Sequence, residues 1–371
     1  MVKTLFVTKL ISDDSIKQLE GTWIDESFIK HPLISDDTDI YYKENGQDIL
    51  LCKFRKNVIS QELIDIGWNN YKDLAKASRG RGASAGPIDK GSQYWKKRNL
   101  TDTNKWSTSY INKNGVKSKM KVNNQVASNP IGFYESSNNF SKLPCRLTHF
   151  TRTNFEKYNN GLPFIEKINN LFKELIPFSY QLQLERAMKK NIFRIQNTAF
   201  STITINRNFR TALHTDAGDF KGGFGNLTVI ERGKYHGGYT VFPQFGIGID
   251  VRMGDFLAMD VHKHHSNTEM YETEEDKEYN LTIPKDYHDN PEVGTKGIYT
   301  NYTRLSFVCY LREKLINCDE KNIDSRFLTK SGHSKIDNDS YTCIYDCGFN
   351  GSYSDVENHE KTCKKNIDNN K

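Results

Sequence analysis

Residues 209–231, "FRTALHTDAGDFKGGFGNLTVIE", set His214 and Asp216 two apart, between an alternating apolar segment and a glycine-rich loop that leads into a second strand-like run. In extended chain, residues two apart point to the same side, so an imidazole and a carboxylate converge there. Such a pair suits the soft and hard halves of a two-histidine, one-carboxylate facial triad, whose third ligand would then be a distant histidine on a returning strand. Alone the triplet decides nothing, because a chain with 10 histidines holds roughly one His-x-Asp by chance.

Outward from this stretch the apolar residues repeat with period two. "AFSTITIN", "LTVIER", "GYTVFP", "GIGIDV", "DFLAMD" and "YTRLSFVCYLRE" are six strand candidates between glycine or polar turns. Upstream the period is helical. "FIEKINNLFKELI" (164–176) puts Phe164, Ile168, Leu171, Phe172, Leu175 and Ile176 on one face, Pro177 ends the run, and a second helix follows in "YQLQLERAMKK". Nearer the start, Asn45-Gly46 marks a hairpin within 38–56, and Ser60 caps a helix expected over "QELIDIGWNNYKDLAKA". The expectation is an α+β fold with helices packed outside a double antiparallel sheet.

Two further segments could complete the site, one with three competing histidines and one with an arginine. In "RMGDFLAMDVHKHHSN" (252–267), His262, His264 and His265 all lie just past a strand end. In "NYTRLSFVCYL" (301–311), Arg304, Ser306 and Val308 share one face, while Leu305, Phe307, Cys309 and Leu311 share the other. An arginine buried beside a serine needs an anion, and a carboxylate suits its fork best.

The bulk numbers place limits. The 371 residues can bury a core without disulfides; 36% hydrophobic residues and a mean hydropathy of −0.71 are low, but 12% aromatics argue for a folded domain with polar insertions. "MVKTLFVTKLISDDSIKQLE" has too short an apolar run for a signal peptide, and no window offers about 20 apolar residues. An intracellular protein, in nucleus or cytoplasm, is expected, with no membrane partner; its Lys, Asn and Ile richness resembles proteins of AT-rich genomes such as those of large DNA viruses. Of seven cysteines, Cys52, Cys145, Cys309 and Cys318 are scattered and read as reduced thiols. Cys343, Cys347 and Cys363 gather with His359 in a Cys-x3-Cys-x11-His-x3-Cys pattern, close to a small zinc finger.

Net charge is +6, yet residues 79–121 alone carry 11 basic and 2 acidic side chains. Aromatics interleave there with Lys and Arg, the combination that neutralises phosphates and stacks bases. Arg79, Arg81, Trp95, Lys96, Lys97, Arg98 and Trp106 are the candidate nucleic-acid-binding residues.

The order His-x-Asp, then "GGYTVFP", then "GDFLAMD" leading to a histidine, then Arg-x-Ser in an apolar strand resembles the Fe(II)- and 2-oxoglutarate-dependent dioxygenases, and within them the TET/JBP branch that oxidises methyl groups of pyrimidine bases. The resemblance implies a double-stranded β-helix (jelly-roll) core with flanking helices. It implies iron on His214, Asp216 and His265, and the distal carboxylate of 2-oxoglutarate on Arg304 and Ser306. It also implies oxidative decarboxylation to succinate and CO2 coupled to hydroxylation of a 5-methyl group of thymine or 5-methylcytosine. DNA, or RNA, is the expected partner of a monomeric enzyme, with a protein partner open to the finger.

The expected organisation is a hairpin and helix region over 1–74, a dioxygenase domain over 75–315, a linker over 319–340 and a zinc-finger-like module over 341–366. Within the dioxygenase domain, 79–140 is basic and loop-rich and the jelly-roll core covers about 195–315. An acidic insert over 268–300 is placed away from the site. The competing readings are a prolyl or lysyl hydroxylase using the same iron site, and a non-catalytic zinc-finger nucleic-acid-binding protein.

Overall fold

A computed structural model describes residues 2–74, 77–78, 80–136, 145–284, 302–318, 341–342, 347–351, 359 and 363. Arg79, Cys343, the linker 319–340 and the second half of the acidic insert lie outside the described residues.

A mixed ten-stranded sheet organises the chain. Its order is Lys3–Val7, Thr38–Glu44, Gln47–Arg55, Phe256–Met259, Gly225–Arg232, Thr303–Tyr310, Thr202–Arg207, Val126–Tyr134 and Ala77–Ser78, with Arg146–Leu147 pairing off Val126–Tyr134. Lys3–Val7 and Thr38–Glu44 run parallel, and the other neighbours run antiparallel. A three-stranded sheet, Ile247–Ile249, Thr240–Phe242 and Ser266–Asn267, lies apart from it in pairing. All six expected strands are present, trimmed to their hydrogen-bonded centres.

The period-two pattern explains why the large sheet is covered on both sides. Leu305, Phe307, Cys309, Phe256, Ala258, Ile203 and Ile205 point to one face and pack with Phe164, Ile168 and Phe172 of the helix Leu162–Leu175 and with Trp68 of the helix Gln61–Tyr71. Phe164 meets Phe307 edge-on at 5.0 Å between ring centres. Each fully buried phenylalanine contributes roughly 1.5–3 kcal/mol. The alternate residues Leu227, Val229, Leu257, Met259 and Val308 face the other way and pack with Phe242, Phe245, Ile247 and Ile249 of the small sheet. The helix can approach this closely because residue 67 is glycine: a Cβ there would sit 2.8 Å from Ile230 and 3.0 Å from Phe164.

The expected hairpin forms, Thr38–Glu44 with Gln47–Arg55, turning through Asn45 (φ 52°) and Gly46 (φ 79°), a pair of positive φ values that suits the strand twist. It adds to the large sheet through Gln47–Arg55 and Phe256–Met259, so the first 74 residues share the sheet of the core.

Three expectations need correction. The helix beginning after Ser60 ends at Tyr71, not Ala77, because the chain is taken into the sheet edge at Ala77–Ser78; Ser60 occupies the cap position without a side-chain cap bond. The first run ends before Pro177 as expected, but the second helix spans Pro177–Met188 and not 180–190, because Pro177 fits its first turn, where the missing N–H costs nothing. Cys145 and Cys318 are not free thiols: they form a disulfide in a small buried cluster with Phe133, Leu147, Phe193 and Leu315. The described part of the acidic insert forms a helix, Glu274–Thr282, started by a reciprocal cap between Thr273 and Asp276. No helix among the described residues is long and apolar enough to cross a membrane.

Candidate active site

His214 follows Thr202–Arg207 in an irregular stretch that is strapped back onto the chain at His265. His214 N donates to His265 O at 3.1 Å, His265 N to His214 O at 3.0 Å, and Asp216 N to Val261 O at 2.9 Å. Three backbone bonds therefore bring the His-x-Asp segment against the turn after Phe256–Met259. His214 Nε2 lies 3.6 Å from Asp216 Oδ1, and His265 Nε2 lies 3.8 Å from Asp216 Oδ2. The three potential ligand atoms fall within 4.8 Å of one another, a spacing one ion can bridge.

The other ring nitrogens are already occupied. His214 Nδ1 is 2.8 Å from Ala212 O, and His265 Nδ1 is 2.9 Å from Lys263 O. A carbonyl can only accept, so each Nδ1 carries the proton and each Nε2 turns a lone pair to the centre. Burial first, and then the neighbouring His214, pushes the His265 imidazole down to about 4, which keeps it in the neutral form a metal requires. Of the three competing histidines it is His265 that joins the group. His262 instead turns its Nε2 toward Phe220 O at 3.4 Å, and His264 is a half-buried neighbour.

The triad opens into a cavity of about 340 Å³ lined on one wall by Arg304, Ser306, Val308 and Tyr310. Arg304 is 3% exposed, and its Nε and Nη2 have no hydrogen-bond partner. Its backbone is fixed from both sides by Asn208: Arg304 N donates to Oδ1 at 2.7 Å, and Asn208 N donates to Arg304 O at 2.9 Å. Asn206 Nδ2 donates to Ser306 Oγ at 3.2 Å. A buried, unpaired guanidinium facing a cavity is a site for an anion brought from outside.

Several lining residues escaped sequence analysis. Asn206 and Ser128 bond to each other beside Ser306. Asp219 is nearly buried with Oδ2 unpaired; burial, and then the Asp216 charge, hold its carboxyl well above the usual carboxylate range. Arg312 is clamped by Glu135 through two short bonds. Only the alternation 304, 306, 308, 310, 312 could have flagged the last of these, and it gives direction without identifying a partner.

The basic segment divides. Arg81 lines the cavity and leaves Nη2 buried without a partner, whereas Lys96 and Lys97 are exposed. Arg98 lies 3.7 Å over the Tyr94 ring, and Trp106 is half-buried against Gly21. Trp95 is a correction: it is 2% exposed, and its Nε1 donates to Asn124 Oδ1 at 2.9 Å, so it packs the segment and offers no face for a base. Asn124 also donates to Ala85 O and Pro87 O, which ties the segment to the glycine-rich loop beside the cavity. Near the C-terminus, Cys347, His359 and Cys363 form a second group with metal-ligand spacing, and Phe349 stacks on His359 at 4.0 Å.

Parts of the chain are similar to known proteins. Residues 129–313 match the Tet_JBP family, described as the oxygenase domain of the 2OGFeDO superfamily. The bifunctional helicase and thymine dioxygenase JBP2 of Trypanosoma cruzi (strain CL Brener) is 34% identical over 207 residues, 54% of this chain and 16% of that protein. Thymine dioxygenase JBP1-B of the same organism is 34% identical over 184 residues, 50% of this chain and 19% of that protein. This chain thus spans less than a fifth of the length of either relative. The solved structure of NgTET1 in complex with 5mC DNA is similar at a TM-score of 0.39 and 12% identity, covering 82% of this chain and 92% of that one. Over residues 129–313 this chain is thus similar to the oxygenase domain of the TET/JBP type in the 2OGFeDO superfamily.

Proposed function

We propose that this chain is an Fe(II)- and 2-oxoglutarate-dependent dioxygenase that hydroxylates the 5-methyl group of thymine or 5-methylcytosine in DNA. The observation that carries the reading is a single cavity lined by both the His214–Asp216–His265 group and the unpaired guanidinium of Arg304. In this reading the large and small sheets are the two halves of a jelly roll. His214, Asp216 and His265 hold the iron, and Arg304 with Ser306 receives the distal carboxylate of 2-oxoglutarate. Bound together, iron and 2-oxoglutarate supply the oxidising power that converts the co-substrate to succinate and CO2 and places oxygen on a methyl group.

The protein's own residues supply position: Asn208 fixes the backbone of Arg304, Asn206 orients Ser306, and Leu227, Met259 and Val308 add apolar surface to a lining that also carries polar groups. A base in duplex DNA reaches such a cavity only by leaving the stack. Lys96, Lys97 and Arg98 are suited to hold a phosphate backbone, and Arg81, which lines the cavity, is suited to meet an anionic group there. The names of the thymine dioxygenase relatives support a DNA base as substrate.

The Cys347, His359 and Cys363 group, completed by Cys343, is proposed as a structural zinc knot that docks nucleic acid or protein. Metal analysis of purified protein should give one zinc per chain, with none in Cys347→Ser.

The direct test incubates Fe(II)-loaded protein with 2-oxoglutarate, air and DNA containing thymine alone or added 5-methylcytosine, followed by digestion and nucleoside mass spectrometry. One added oxygen on one base, dependent on 2-oxoglutarate and lost in His214→Ala, supports the proposal. Succinate without a modified nucleoside moves the substrate to another acceptor, and no succinate removes the iron reading.

A further inference from the structure

Arg304 has a counterion of its own within reach and does not use it. Gly225–Arg232 and Thr303–Tyr310 pair antiparallel with Glu231 directly opposite Arg304. Side chains directly opposite leave a sheet on the same face, with Cβ atoms roughly 5 Å apart. A carboxylate so placed beside a buried guanidinium should close on it, yet Arg304 Nε and Nη2 have no partner.

Glu231 is committed elsewhere at both oxygens. Its Oε1 accepts from the Tyr235 hydroxyl and lies 3.7 Å from Arg252 Nη1, while its Oε2 accepts from Met253 N at 3.2 Å. Arg252 is held rigidly for this purpose. Its Nε pairs with Asp250, its Nη2 donates to Gly237 O at 3.0 Å, and its guanidinium lies 4.6 Å over the Tyr235 ring. Neither Glu231 nor Arg252 lines the cavity, whereas Arg304 does.

We propose that Arg252, with Tyr235, is a positioning residue that draws Glu231 away from Arg304 and so keeps the Arg304 guanidinium open for the carboxylate of the co-substrate. The proposal rests on the reading of Arg304 as the 2-oxoglutarate anchor. Without the Arg252 cation, Glu231 retains only neutral donors, and Arg304 is the cation opposite it across the strand pair. An internal Glu231–Arg304 pair then competes with 2-oxoglutarate for the same donors, and affinity falls by the stability of that pair.

The test is binding, independent of turnover. The affinity of Mn(II)-loaded protein for 2-oxoglutarate is measured by titration calorimetry for wild type, Arg252→Gln, Glu231→Gln and the double variant. Arg252→Gln should weaken binding at least tenfold, Glu231→Gln should change it less than threefold, and the double variant should return to within threefold of wild type. Recovery on removing Glu231 is an effect that loss of local structure would not produce. Tyr235→Phe, which deletes one donor and keeps every charge, should show a smaller loss that Glu231→Gln also reverses, and it decides the matter if Arg252→Gln fails to fold. Unchanged affinity in Arg252→Gln, or a double variant as weak as the single, overturns the proposal. Wild-type protein that does not bind 2-oxoglutarate overturns the anchor reading itself.

Discussion

Replacing Arg304 with methionine should do opposite things to stability and to binding. The guanidinium is 3% exposed, with Nε and Nη2 unpaired, so the ligand-free protein carries an uncompensated buried charge. Methionine fills similar space without that desolvation cost, and the gain should be about 1 kcal/mol or more. The Tm of the ligand-free variant should therefore rise by roughly 2 °C in a chain of this size. For 2-oxoglutarate the sign reverses: leaving a buried charge without its partner costs about 3–5 kcal/mol, or roughly 100- to 4,000-fold in affinity. Thermal melts with and without 2-oxoglutarate, on Mn(II)-loaded protein, read both effects in one experiment. A variant that melts several degrees lower without ligand, yet keeps its ligand-induced shift, would refute the reasoning, because Arg304 would then have an internal partner and no external one.

Asp216→Ala should abolish succinate formation while leaving DNA affinity, measured by gel shift, within about threefold, since the carboxylate meets the two imidazoles and belongs to no basic surface. Glu135→Gln should destabilise the protein by about 1–3 kcal/mol at neutral pH by unpairing Arg312. Burial raises the Glu135 carboxyl, but the Arg312 bonds and charge outweigh it and hold the group below its ordinary value. Its contribution is thus complete above about pH 4.5 and is lost as pH falls through the lowered value, so urea midpoints of variant and wild type should converge in acid. Cys145→Ser opens a loop of 173 residues, for which chain entropy gives about 5 kcal/mol; reductant should lower the wild-type urea midpoint toward that of the variant and leave the variant unchanged.

Strands were legible wherever one face differed from the other. In Thr303–Tyr310 the apolar set Leu305, Phe307 and Cys309 and the polar set Arg304 and Ser306 separate by period alone, and the structure sends them to opposite faces of the large sheet. The hairpin was legible because Asn45 and Gly46 tolerate the positive φ its turn imposes. What stayed hidden depends on contacts between distant segments. Ala77 is helix-compatible in sequence, yet it forms strand because Val126–Tyr134 offers an edge to it. Trp95 reads as a stacking platform until Asn124, 29 residues away, buries it. Periodicity alone left three histidines competing and only the family resemblance singled out His265, and the pairing of Cys145 with Cys318 joins residues that no local pattern relates.

The pairing of Gln47–Arg55 with Phe256–Met259 has a consequence for synthesis. The hairpin leaves the ribosome before the strand that completes its inner side, which follows some 200 residues later, roughly 10–40 s at ordinary elongation rates. Throughout that interval Leu51, Cys52 and Phe54, fully buried in the finished protein, have no sheet to cover them, and the open edge of Gln47–Arg55 is free to pair with a neighbouring nascent chain. Sheet closure is therefore a late, high-contact-order step, and the yield of folded protein should depend on chaperone capacity more than on the stability of the final fold.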